Sequence, residues 1–138
     1  MTKTSIQLRW NDMDMLGHLY NGKYQHLYDL GLSQFFNEVL HASYRLGEGG
    51  VWPLKVSTTI NYLDQIHFDQ PLQVTTRTER IGNKSITFAQ QIIRTDTQKV
   101  MSDSTTAVVC YDTRTSESVA VPAQWRAWLE NEIESQKK

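Results

Sequence analysis

A chain of 138 residues has the length of one ordinary domain, here residues 1–138, and its balance of 14 basic and 15 acidic residues gives no support for the basic face that a nucleic-acid binder needs. The lone cysteine, Cys110, excludes an intrachain disulfide and a Cys-based zinc site. No stretch approaches the ~20 apolar residues of a membrane-spanning helix. Met1–Ser5 has no apolar run of the secretory type, so a cytosolic, cytoplasmic protein is expected.

Thr4 to Trp10 alternates, with Ile6, Leu8 and Trp10 on one face and Gln7 and Arg9 on the other, which predicts a half-buried strand. Asn11 to Gly17 breaks the alternation and reads as a loop. From Asn21 the period becomes helical, with Tyr24, Leu27, Tyr28, Gly31, Phe35 and Val39 on one stripe. Leu30, Leu32, Phe36 and Leu40 lie off that stripe, so the helix is expected to be surrounded. Gly47 to Gly50 reads as a loop. Strands are then predicted over Lys55–Leu63, with Val56, Thr58, Ile60 and Tyr62 on one face, and over Leu72–Ile81, Lys84–Thr95 and Lys99–Tyr111. Pro122 suits the first turn of a closing helix whose apolar face is Trp125, Trp128, Leu129 and Ile133. The abundance of Thr, with aromatic residues, suggests a sheet with one wetter face.

Strand, buried helix, four strands and helix define an α+β domain: a curved antiparallel sheet of about five strands around one long helix, with a short C-terminal helix. Such a sheet leaves its edge strands and part of the helix uncovered. A second copy of the chain is the natural cover.

The chemically informative stretch runs from Trp10 to Tyr24. It places a carboxylate, Asp14, on a loop shortly before a buried helix. Helix N-termini present unpaired amides and partial positive charge, which can polarise a carbonyl and stabilise an oxyanion. A nearby carboxylate can attack that carbonyl or activate water. Spacing alone also allows plainer roles: Asp14 as a loop acid or solvated cap, Asn21 as an N-cap, Gly17 as a turn residue, and His18 as a structural imidazole.

The pattern Asp14-x-x-Gly17-His18-x-x-Asn21-x-x-Tyr24, between a strand and an apolar helix, resembles the signature of hotdog-fold acyl-CoA thioesterases. Within them it is most similar to the hydroxybenzoyl-CoA thioesterase-like group. The likeness extends through the Gly82-Asn83-Lys84-Ser85 turn to Val121-Pro122-Ala123. The resemblance implies that Asp14 is the catalytic nucleophile or general base. It implies that the Asn21 backbone amide meets the thioester carbonyl and that Gly17 and His18 shape the approach. Tyr24, Asp29 and Trp52 fall at substrate-binding positions, and Lys84 and Ser85 match a turn that contacts coenzyme A phosphates in some members. For Lys84 the plainer reading is an exposed turn lysine.

The chain departs from the family pattern at several positions. Tyr20 stands where the first of two Asn is usual, Asp29 where Glu is usual, and Leu32 where a basic residue is common. Trp52 replaces a small polar residue before Pro53, which narrows the pocket and argues against a hydroxybenzoyl group. Asp29 reads either as a structural acid or as a pocket acid whose proton affinity desolvation would raise.

The resemblance thus implies hydrolysis of an acyl-CoA thioester without metal or organic cofactor, coenzyme A being part of the substrate. It also implies a homodimer or homotetramer with the site at the subunit interface. An acyl-carrier-protein thioesterase and a non-catalytic acyl-CoA binding domain are the alternatives. His26 and Asp29 have a metal-ligand spacing but lack a third ligand. His41 and His67 read as lone surface or loop residues, and Cys110 as a buried apolar one.

Overall fold

The computed structural model describes residues 1–41 and 50–137. Of the expected Gly47–Gly50 loop, only Gly50 lies among the described residues. Strand β1 (Thr2–Ile6) is followed by two short 3-10 turns, Trp10–Asp12 and Asn21–Lys23, and by helix α1 (Tyr24–Val39). Then come β2 (Val51–Tyr62), β3 (Leu72–Ile81), β4 (Ser85–Arg94), β5 (Lys99–Asp112), the two-residue β6 (Glu117–Ser118) and α2 (Ala123–Gln136). The sheet is antiparallel with the order β1-β3-β4-β5-β2, and β6 is added beside β5.

Helix α1 lies against β1, β3 and β4. Its expected stripe is buried at Tyr24, Leu27, Tyr28, Gly31 and Phe35, and Leu32, Phe36 and Leu40 are buried as well. The helix is not surrounded as expected: Leu30 stays exposed with His26, Asp29, Asn37 and Glu38, because the sheet covers only one side of it. Among the described residues, two apolar clusters result. One gathers Leu8, Leu19, Leu27, Leu72, Val74 and Met101 near the helix start, and the other gathers Phe35, Phe36, Ile86, Phe88 and Leu129 near its end.

Hydroxyl and amide groups are buried beneath the helix as well. The Gln90 side-chain amide donates to Tyr28 O at 2.9 Å and to Thr76 Oγ1 at 3.0 Å. The Tyr28 hydroxyl donates to Ser102 Oγ at 2.6 Å, and Ser102 passes the chain on to Asn61 O at 2.8 Å. Burial raises the Tyr28 phenol well above its ordinary value despite the Ser102 bond. The Thr and Ser content therefore does not mark only a wet face: Thr76, Thr78, Ser102, Ser104 and Thr106 are buried.

Four sequence expectations need correction. Strand β1 ends at Ile6, opposite Leu72, because β3 begins there and offers no further partner. Leu8 is still buried, but Trp10 enters a 3-10 turn, is 77% exposed and meets Phe68 edge to face. Strand β2 starts at Val51, and a bulge between Lys55 and Ser57 shifts its faces, leaving Val56 62% exposed. Pro122 is the residue before α2 rather than part of its first turn.

Helix α2 packs on β3 through fully buried Leu129, with Trp125 and Trp128 partly buried and Trp128 edge to face with His41. Its Glu132 carboxylate accepts the Thr78 amide at 3.0 Å beside the β3–β4 bulge, satisfying a group that the interrupted ladder leaves over.

Candidate active site

The chain between β1 and α1 folds back on itself. Met13 and Leu19 form an antiparallel bridge, and Asp14 N donates to His18 O at 2.7 Å. The Asp14 carboxylate closes the turn by accepting the amides of Leu16 at 2.9 Å and His18 at 3.0 Å, both on Oδ1. Gly17 adopts φ +79°, a left-handed conformation that glycine tolerates without strain. The turn docks on the β2–β3 connection: Leu19 N donates to Ile66 O at 2.8 Å, His18 bridges His67, and the two imidazoles meet edge to face.

The helix start differs from expectation. Asn21 opens a 3-10 turn, preceded by Tyr20 in extended conformation, and α1 proper begins at Tyr24. Asn21 is therefore not an N-cap, and neither turn nor helix has a side-chain cap. The first amides of such a turn have no acceptor within it. They are the helix-start donors near Asn21.

Asp14, Leu16, His18, Leu19, Asn21 and Tyr24 line one open cleft of about 630 Å³, closed on its far side by Tyr62 to Gln65 of β2 and the segment after it. Asp14 is exposed there, while Tyr24 is 3% exposed and meets the Tyr62 ring edge to face. Burial, and then Tyr62 and Asp64, push the Tyr24 phenol up. Asp64 is held below the usual carboxylate range by its bond to Lys99 and the Gln65 amide, so this cleft carries a second acid whose charged form is favoured.

Residue Asp12, at the end of the first 3-10 turn, is 4% exposed. Burial opposes its ionisation, but the Arg9 amide and guanidinium and the Lys23 ammonium outweigh burial and lower its pKa below the ordinary 3.8. Stability from this group is complete above pH 3.8 and is lost as pH falls through the lowered folded-state value. Acid unfolding below about pH 4 is therefore expected to be shallower in Asp12→Asn than in wild type, as circular dichroism against pH will read.

The remaining expected site residues lie elsewhere. Asp29 lines a second cleft of about 490 Å³ with Leu32, Ser33, Phe36, Pro53, Lys55 and Val108. It is not a lone acid in an apolar pocket: Lys55 reaches across from β2 to pair with it, and Gln25 donates to it at 3.1 Å. Trp52 pairs with Tyr111, and the pleat directs it away from the face of Pro53, so Pro53 rather than Trp52 lines that cleft. Lys84 and Ser85 form the β3–β4 turn, closed by a Gly82 N to Ser85 O bond of 2.7 Å. That turn is level with Val109, whereas Tyr62 is level with Ser102. At ~3.3 Å per residue the two ends of one chain stand about 23 Å apart.

Tyr62, Asp64 and Lys55 carried no motif, although Tyr62 could be read as facing inward from its strand position. Cys110 is fully buried, and burial pushes its thiol up to about 11, which fits a packing role. Among the described residues, no three His, Cys, Asp or Glu side chains gather as a metal site, and no helix is long and apolar enough to cross a membrane.

A family model described as the thioesterase-like superfamily matches residues 8–129. The chain belongs to the thioesterase-like superfamily. Its class of chemistry is thioester hydrolysis, and its curled sheet around α1 is the hotdog fold. No curated protein matches this thioesterase-like chain. Solved structures do. The PA5185 protein of Pseudomonas aeruginosa is 24% identical with a TM-score of 0.85, covering 96% of this chain and 91% of that one. A predicted thioesterase from Bacillus stearothermophilus is 23% identical with a TM-score of 0.82 and 94% coverage of both chains. A DHNA-CoA thioesterase from Staphylococcus aureus is 18% identical with a TM-score of 0.79, covering 99% of this chain and 91% of that one.

Proposed function

We propose that this chain hydrolyses an acyl-CoA thioester to a free carboxylic acid and coenzyme A in the cleft that holds Asp14 and Asn21. The observation that carries this reading is their meeting in one cleft at the start of the half-buried helix α1. The thioester carbonyl sits against the helix-start amides near Asn21, which stabilise the oxyanion as it forms. Asp14, with Oδ1 engaged by Leu16 and His18, acts through its carboxylate as nucleophile or general base. As a base it takes a proton from water, the hydroxide adds to the carbonyl, and the C–S bond then breaks. As a nucleophile it forms an acyl anhydride that water opens. The thiolate leaves without a strong acid in either case. The reading needs no metal or organic cofactor, since coenzyme A enters as part of the substrate.

Gly17 and His18 hold the Asp14 turn, Tyr24 lines the approach, and Asp29 belongs to the acyl-group end. A homodimer or homotetramer completes the site. Strand β2 is a sheet edge, bonded on one side to β5. Antiparallel pairing of β2 with β2 of a second copy lays the Tyr62 end of one chain beside the Pro53–Lys55 end of the other. Asp14 of one copy then faces the Asp29 cleft of its partner, and the partner's Lys84 and Ser85 turn approaches from the same end.

Comparing turnover of one acyl group on coenzyme A and on a carrier protein tests the carrier. The coenzyme A ester is expected to be preferred. Lys84→Ala is expected to raise KM for it by about two- to fivefold at low salt, the range of an exposed charge contact, and less at high salt. Preference for the carrier protein contradicts the coenzyme A assignment and the role of Lys84.

A further inference from the structure

Asp12, two residues before Asp14, joins the end of the β1 segment to the start of the helix. From this geometry we infer that Asp12 is a positioning residue, holding the Asp14 loop in register with the helix-start amides; the inference rests on the thioesterase reading above. On the β1 side, Oδ2 of Asp12 accepts the Arg9 amide at 2.8 Å, and Oδ1 lies 3.4 Å from Arg9 Nη2. On the helix side, Lys23 Nζ stands 3.8 Å from Oδ1, and Asp12 O accepts the Tyr20 amide at 3.0 Å. Lys23 closes the 3-10 turn that Asn21 opens. One buried carboxylate therefore spans from the entry of the loop to the turn that supplies the carbonyl-binding amides. Asp14 lies between these two anchor points.

The bonds to the Asp14 carboxylate come from Leu16 and His18, within the same loop. They shape that loop without referring it to the helix. The Met13–Leu19 bridge and the Leu19 to Ile66 bond also anchor it, but both are main-chain contacts that a change at Asp12 leaves in place. The side-chain tie is the adjustable part. A buried carboxylate keeps its charge only with its partners in position, so Arg9, Asp12 and Lys23 act as one unit. A shift of about 1 Å at a reacting group costs on the order of a hundredfold in rate, so a small slip here is felt at Asp14.

Asp12→Asn keeps an oxygen for the Arg9 amide and removes the charge that holds Lys23. Its expected effect is a fall in kcat of about tenfold or more on acyl-CoA, with KM within about twofold of wild type. Lys23→Met, which changes a side chain already 35% exposed, is expected to lower kcat in the same way. The double variant is expected to be no slower than Asp12→Asn alone, because both break one tie. If Asp12→Asn does not fold, Lys23→Met decides. A folded variant of either residue with wild-type kcat overturns the proposal, and so does a loss that appears in KM alone. Asp14→Asn, assayed alongside, separates the two claims. If it keeps wild-type turnover, the reading of Asp14 fails. If it is inactive while the Asp12 and Lys23 variants match wild type, only the positioning role fails.

Discussion

Asp14→Asn is expected to lower kcat on the best acyl-CoA substrate by about a hundredfold to ten-thousandfold, the range for loss of a catalytic base. The fold is expected to be unaffected, because an asparagine oxygen can accept the Leu16 and His18 amides that Oδ1 accepts now. Asp14 is also exposed, so no buried charge is stranded by the change. The substitution removes basicity and nucleophilicity while leaving the turn intact. Steady-state thiol release and urea unfolding on the same preparations separate the two effects. Equal turnover at equal stability contradicts the role assigned to Asp14.

Gly31→Leu is expected to lower stability by about 3 kcal/mol, near the upper end for overpacking a tight interface. Glycine inside a helix gives up about 1 kcal/mol relative to alanine, so its place in α1 needs a reason. The reason is close approach. A Cβ at Gly31 would lie 2.5 Å from Val74 Cγ1 and 3.1 Å from both Gln90 Nε2 and Thr76 Oγ1. Val74 and Thr76 are buried on β3, and Gln90 is already engaged with Tyr28 and Thr76. A larger residue must lift the helix from the sheet or break that polar link. Urea unfolding measures the change, and a Leu variant as stable as wild type contradicts the close packing described.

Local pattern made the framework legible. The helical stripe from Tyr24, the alternating strands and the Asp14-to-Tyr24 spacing are properties of neighbouring residues, and physical packing follows them. Where the reading failed, a distant partner decided. β1 stops at Ile6 because β3 starts at Leu72, and β2 changes face at Val56, an extra residue between Lys55 and Ser57, which pair with the consecutive Val108 and Ala107 of β5. The pairing of Asp29 with Lys55 joins α1 to β2 across 26 positions, and spacing gives no sign of it. Asn21 looked like an N-cap because its residue type favours that position, but the preceding Tyr20 takes the extended conformation instead. Glu132 resembles any helix-surface acid until the Thr78 amide at the β3 bulge is seen to need an acceptor. Asp12 sits in the Trp10-to-Tyr24 stretch, two residues before the motif, and its partners Arg9 and Lys23 are brought together only by the fold.

Free-thiol release by the wild-type protein across short, medium, long and aromatic acyl-CoAs decides whether this chain hydrolyses acyl-CoA thioesters. Catalytic turnover is expected on at least one of them, with coenzyme A and free acid appearing in equal amounts. Tight binding of an acyl-CoA in calorimetry, with no thiol released from any of the panel, would contradict it.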